Sequence, residues 1–541
     1  GIYQRRDYKM LGYDFRATAS WNHVFNDIHI TNFFAGTEIN STDRSKNYYQ
    51  GWGMQYSMGE IPYYVYEFFK KGIEDGNNYY SLSQTRSRSA AFFANATYSY
   101  KGRYTVNGTA RYEGTNRMGK SRSARWLPTW NVSGAWNAHE EKFFSNLTSV
   151  LSHFTLKASY SLTADRGPAD VTNSQAIITS YSPYRPFTSI QESGLYIKEL
   201  ENSELTYEKK HELNIGADMG FLNNRINLAV DWYKRNNYDL IGIVNTQGAG
   251  GQILKYANIA SMKSHGIEFT LSTKNIKTKD FNWNTDFIFS NAKNEVTDLK
   301  QNANVMELIS GNGFAKQGYP VRGLFSIPFV GLDKDGIPVI INEKGEATST
   351  DINFQERQNT GFLKYEGPTD PTITGSLGNM FSYKGFRLNL FITYSFGNVI
   401  RLNPVFKAYY SDLTAMTREF KNRWTLPGDE AKTNVPAILS KRMYDSNEDL
   451  KYAYNAYNYS TERIAKGDFI RLKEISLAYD FPKAWINPLK LTDLSLKVQA
   501  TNLFLIYADD KLNGQDPEFF NAGGVASPVP RQFTITLRLG L

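Results

Sequence analysis

The last residues of the chain, RQFTITLRLGL from Arg531 to Leu541, restrict what it can fold into more than any other stretch. Phe533, Ile535, Leu537, Leu539 and Leu541 fall on one parity, and Gln532, Thr534, Thr536, Arg538 and Gly540 on the other. Successive side chains of a β-strand point to opposite faces, so this segment predicts a strand with one apolar and one polar face. The pattern recurs. Tyr13, Phe15, Ala17, Ala19 and Trp21 alternate with polar residues, as do Phe92 to Tyr100, Tyr104 to Tyr112, Leu213 to Phe221, Ile226 to Trp232 and Phe386 to Phe396. In water each apolar face would need a cover, whereas in a lipid wall it needs none. The expectation is an all-β, transmembrane antiparallel barrel with lipid outside and water inside.

Composition agrees with that expectation. Aromatic residues make up 15% of the 541 residues although the mean hydropathy is only -0.48, as suits strands that are half lipid-facing and flanked by aromatic girdles. No apolar run approaches the roughly 18 residues of a membrane helix. Cysteine is absent, which removes disulfides, zinc thiolates and thiol nucleophiles. The net charge of +8 is dispersed, with no basic run and no recognition motif, so nucleic acid is not an expected partner.

The connections alternate in length. Asn26-Asp27, Lys101-Gly102, Asn223-Asn224 and Lys384-Gly385 are tight turns, and a short helical connector is expected near Glu141 to Asn146. Long excursions are expected at about 40–88, 164–206, 300–366, 400–466 and 508–527, the first with a short amphipathic helix over Ile61 to Ile73. Tight turns on one rim and long loops on the other are the topology of an outer-membrane barrel. About fifteen strands can be counted, whereas single-chain bacterial barrels have even numbers; either one strand escapes the pattern or the chain is the C-terminal portion of a larger barrel that starts before Gly1, and the second is the favoured expectation.

Polar parity nominates lumen residues: Arg16, Arg111, Glu113, Lys157, Asp231, Glu268, Asp286, Arg387, Lys497 and Arg538. Each can touch a solute, or can simply line and pair within a water-filled interior. Loop aromatics Tyr181, Tyr184, Tyr409, Tyr410, Tyr454 and Tyr457 can stack on a sugar or a lid, or pack between loops. Asp333, Asp335 and Gly336 form part of a calcium-loop pattern, but the later acidic ligands are missing and a tight turn is the better reading. The six histidines show no paired metal spacing. No catalytic cluster, metal or cofactor is expected, which leaves a barrel enzyme as an alternative with no visible site. A passive porin is the other alternative.

Several motifs, in order along the chain, resemble a known family. They are RYTVNGTARYEGTNRMG from Arg103, the Trp126 to Trp136 stretch, LTYEKKHELNIGADMGF from Leu205, HGIEF from His265, VGLDKDGIP from Val330, RWTLPGDE from Arg423, DFIRLKEISLAYDFP from Asp468, ATNLFLIY from Ala500, DPE from Asp516 and SPVPRQFTITLRL from Ser527. The chain is similar to the C-terminal part of the barrel of SusC-type (SusC/RagA-like) TonB-dependent outer-membrane transporters of Bacteroidetes. That resemblance implies a plugged barrel of about twenty-two strands, TonB-energised import of an oligosaccharide or oligopeptide, and a SusD-like surface lipoprotein lid. It also implies a dimer of transporter–lipoprotein pairs. The plug, the TonB contact and the first strands would lie before Gly1.

Overall fold

The computed structural model describes residues 1–167, 176–181, 194–246, 248, 254–407, 416–520 and 529–540. Fifteen strands form one sheet whose spatial order is the chain order. They are β1 (Ile2–Phe25), β2 (His29–Trp52), β3 (Tyr80–Tyr100), β4 (Tyr104–Thr115), β5 (Trp126–Asn137), β6 (Leu151–Asp165), β7 (Glu208–Phe221) and β8 (Ile226–Asn245). There follow β9 (Leu254–Lys277), β10 (Phe281–Leu299), β11 (Ile373–Tyr383), β12 (Phe386–Phe396), β13 (Phe469–Asp480), β14 (Asp493–Ala508) and β15 (Gln532–Gly540). No helix among the described residues is long and apolar enough to cross a membrane.

Register shows why the parity pattern works. Leu388, Leu477, Val498 and Ile535 stand opposite one another across β12 to β15, and two rows on stand Phe386, Tyr479, Leu496 and Leu537. The row between them is Arg387, Ala478, Lys497 and Thr536, and the row on the other side of Leu388 is Asn389, Ser476, Gln499 and Thr534. One face is therefore an apolar surface, with Ile535 at 73% exposure, and the other is polar.

The tight turns are built as their sequences require. Asn26 and Asp27 have φ of 52° and 56°, and Lys384 and Gly385 have 45° and 92°, the left-handed pairing that matches strand twist in two-residue hairpins. The connector after β5 forms 3-10 turns at Ala138–Glu140 and Lys142–Asn146.

One expectation is corrected. The excursion placed at 40–88 is strand up to Trp52 and again from Tyr80, leaving a connection of 53–79 with its helix at Tyr66–Glu74. The pattern hid this because Ser41, Thr42, Asp43, Arg44, Ser45 and Lys46 are polar on both faces, as a strand that runs on into water can be. The excursions at 300–366 and 400–466 fold together. The helix Val305–Ile309, Phe325, Ile327, Ile340 and Leu363 share a buried core with Ala456 of the helix Leu450–Asn458.

The chain divides into two compact units. One comprises Gly1–Ala135, Ser159–Glu212 and Asn237–Ala260; the other comprises Trp136–Ala158, Leu213–Asn236 and Ser261–Leu541. The looped core belongs to the second unit. At its centre Arg401 is 6% exposed and donates to the carbonyls of Ser460 (2.8 Å) and Phe325 (2.6 Å), so its buried charge is met by backbone oxygens.

Candidate substrate-facing sites

In the first unit, polar-face residues of β1 to β4 converge. Arg16, Glu38, Ala91 and Glu113 form one cross-strand row, and Thr18, Gly36, Phe93 and Arg111 the next. Arg111 Nε lies 2.7 Å from Glu113 Oε2, and its Nη1 lies 3.5 Å from Glu38 Oε2. Arg166, just past β6, bonds the other Glu113 oxygen. The guanidiniums of Arg16 and Arg111 sit 5.3 and 5.8 Å from the centre of the Phe93 ring. That ring needs Gly36: a Cβ there would meet Phe93 Cζ at 2.7 Å and the Ala17 carbonyl at 2.6 Å.

Three of the sequence-nominated residues, Arg16, Arg111 and Glu113, thus meet in one half-buried cluster. Glu38, Phe93 and Arg166 complete it and were not nominated. A signal was present for Phe93, an aromatic on the polar parity of β3, and for Glu38, which shares a face with its partner Arg16. Tyr207 lies behind the cluster and is 4% exposed; burial first, then the Glu113 charge, pushes its phenol up to about 12, and its Oη donates to the Arg125 carbonyl.

In the second unit, Lys157 Nζ lies 2.7 Å from Asp218 Oδ2. Asp231 shares this patch, because a Cβ on Gly216 would meet Asp231 Oδ1 at 2.2 Å and Lys157 Cε at 3.5 Å. The other nominated lumen residues each find a local partner. Ser272 donates to Asp286 at 2.6 Å and Ser290 to Glu268 at 3.4 Å. Arg387 pairs with Asp480 at 2.8 Å, Lys497 lies 3.9 Å from Glu474, and Arg538 lies 3.6 Å from Asp493. These five are dispersed along the wall and form no common site.

The loop aromatics divide. Tyr454 and Tyr457 are each 1% exposed; Tyr457 packs edge-on to Phe329 and Tyr454 against Phe406, so both serve the loop core rather than an open surface. Tyr181 is exposed and packs against Tyr196. Tyr184, Tyr409 and Tyr410 lie outside the described residues. Asp333 Oδ1 accepts from the amides of Asp335 and Ile337, both at 2.9 Å, which makes this stretch a turn. Among the described residues no group of three or more metal-ligating side chains converges.

The sequence motifs meet in space. Arg471 of the DFIRLKE stretch lies 2.5 Å from Asp516 and 3.3 Å from Glu518 of the DPE stretch. Gly336 of VGLDKDGIP lies under the ring of Trp424 of RWTLPGDE, where a Cβ would approach to 2.5 Å.

The profile of the TonB dependent receptor-like β-barrel family matches residues 2–503. The chain belongs to that family. It is 26% identical to TonB-dependent receptor P39 of Formosa agariphila, over 96% of this chain and 52% of that protein. It is also 26% identical to the TonB-dependent receptor SusC of Bacteroides thetaiotaomicron, over 88% of this chain and 47% of that protein. Among solved structures it shares the fold of the RagAB peptide transporter, with a TM-score of 0.76, 21% identity, and coverage of 99% of this chain and 56% of that one. The chain spans about half the length of the curated relatives it matches. Family membership places the strands in an outer membrane, with the apolar rows toward lipid.

Proposed function

We propose that this wall belongs to an active importer of a bulky polar nutrient, an oligosaccharide or oligopeptide, energised through TonB and covered by a SusD-like surface lipoprotein. The observation that carries the reading is the cluster around Phe93. It joins a flat apolar ring to alternating guanidinium and carboxylate groups on the polar face of the wall. Such a surface can hold a solute by ring contact and by charge-assisted hydrogen bonds of both signs. The patch of Lys157, Asp218 and Asp231 offers the same mixed chemistry. Paired charges hold neither a pure anion nor a pure cation strongly, which suits neutral glycans and zwitterionic peptides. The likeness to SusC and to the RagAB fold supports transport over an enzyme or a passive pore.

The test is mass spectrometry of material bound to the intact transporter purified from native membranes, with uptake measured for the recovered class. Arg111→Met and Glu113→Gln are expected to reduce uptake at limiting solute several-fold with the protein still folded. Unchanged uptake in both variants would remove the cluster from the solute path.

A further inference from the structure

Outside the lumen, one cleft of the first unit carries chemistry that import does not use. It has a volume of about 390 Å³ and is lined by Tyr112, Lys120, Arg122, Arg125 and Trp126. Three of its five residues are cations, and the other two are aromatic rings stacked 5.1 Å apart at 26°.

The cleft lies on the lipid-facing side. Tyr112 shares the parity of Tyr104, Val106 and Ala110, opposite to Arg111 and Glu113. Trp126 lies across Gly114, where a Cβ would meet the indole at 2.4 Å, so it is on that same face. Both β4 and β5 have neighbours on either side in the sheet, so the cleft is not an edge feature.

Its depth follows from the aromatic rows. Trp130 packs against Tyr160, and Tyr160 stacks with His211 at 5.7 Å and 9°, while His211 stacks with Tyr238. That is a girdle on the outward face. Trp126 stands four residues further along β5 toward the long connections, about 13 Å at strand rise. The cleft is therefore at headgroup level, beyond the girdle.

The backbone that carries the two arginines is a capped turn. Ser121 caps a single helical turn, Arg122–Arg125, by accepting from the Ala124 amide at 3.2 Å. Residues three apart in such a turn share a face, which sets Arg122 beside Arg125. Arg125 Nε is buried and has no hydrogen-bond partner among the described residues. Glu201 lies 2.8 Å from Lys120.

We propose that this cleft binds the phosphorylated saccharide headgroup of a glycolipid in the leaflet that the long connections face. Arg122, Arg125 and Lys120 meet the phosphate, and the Tyr112–Trp126 pair offers a flat face to the sugar ring. The proposal rests on the outer-membrane placement of the wall and is independent of what is transported.

The test uses the intact transporter in detergent, with lipid A, dephosphorylated lipid A, phosphatidylglycerol and inorganic phosphate as probes, read by native mass spectrometry. Lipid A is expected to bind at least tenfold more tightly than either of the other lipids. Lysine and arginine removal, K120Q with R122Q and R125Q, is expected to lower lipid A binding at least tenfold. The exposed single change Arg122→Glu should weaken it without disturbing the heat-resistant migration of the folded barrel. Undiminished lipid A binding in both variants would overturn the proposal. Equal binding of phosphatidylglycerol would reduce the cleft to an unspecific anionic-lipid surface or place it in the opposite leaflet, and displacement of lipid A by equimolar phosphate would make it a free-anion site; each result overturns the glycolipid assignment.

Discussion

At the scale of single residues, the lumen cluster depends on what is missing from Gly36 as much as on its charges. The Phe93 ring fills the space a side chain would take, and one contact of a Cβ there would be the fixed Ala17 carbonyl. Gly36→Ala therefore forces ring and backbone apart, and overpacking of this kind costs about 1–3 kcal/mol. Gly51, in the same strand β2, has open space around its Cβ position and is the control. Folding yield in lipid vesicles is expected to fall for Gly36→Ala and to hold for Gly51→Ala. Equal yields would show that the ring relocates freely.

At the scale of elements, strand β12 tests the two-faced wall. Leu390 shares its row with Ile475, Ala500 and Phe533, whereas Asn389 shares its row with Ser476, Gln499 and Thr534. Leu390→Lys places charge against lipid at a cost of about 2–4 kcal/mol near the bilayer midplane, and Asn389→Lys places it in water. Urea titration of vesicle-folded protein should show the difference, and equal midpoints would reverse the facing. The wall strands were legible in the sequence because lipid and water sort side chains with a period of two. Ser41 to Lys46 were not, since both faces of that extension are hydrated and parity carries no signal. The looped core was not legible either: Val305, Phe325, Ile340 and Ala456 come from segments far apart in sequence, and a short run of apolar residues does not say which distant run will cover it. Arg166 joined Glu113 for the same reason, through tertiary contact. What the sequence did mark was the separate motifs; that they pair, as Arg471 with Asp516 and Gly336 with Trp424, only the fold reveals.

A loop element adds a pH dependence. The Asp429 carboxylate accepts from the Leu426 amide (3.0 Å), the Thr425 hydroxyl (3.0 Å) and the Thr425 amide (3.2 Å), which together hold it down at about 2 against an ordinary 3.8. A depressed carboxyl contributes stability that is present above its unfolded value and is lost as pH falls through its folded value. Between about pH 4 and about 2 the turn at Thr425–Glu430 should therefore loosen. Hydrogen exchange of the Thr425 and Leu426 amides is the measurement, compared at each pH with Asp429→Asn. The two proteins should differ at pH 6 and converge near pH 2; identical protection at pH 6 would dismiss the carboxylate as the cause.

At the scale of the whole molecule, the decisive contrast is between a bare wall and a wall with a built platform. A diffusion pore needs only strands and loops, but here two long connections fold onto one buried core, stiffened by Arg401 and by Arg463, which is 1% exposed and lies 2.7 Å from Glu419. Ordering that much chain carries a large entropic cost, which burial of the core offsets. The platform still leaves Val330 and Leu426 at 58% and 68% exposure. The lid of the proposed function needs a rigid landing surface of this kind, with apolar side chains that association would bury. Affinity purification of the intact transporter from native outer membranes is thus expected to recover a surface lipoprotein in near-equal amount. Val330→Asp combined with Leu426→Asp should lower that recovery several-fold while the wall remains folded. Full recovery from the double variant would move the landing surface elsewhere, and a transporter that always purifies alone would end the lidded-importer reading.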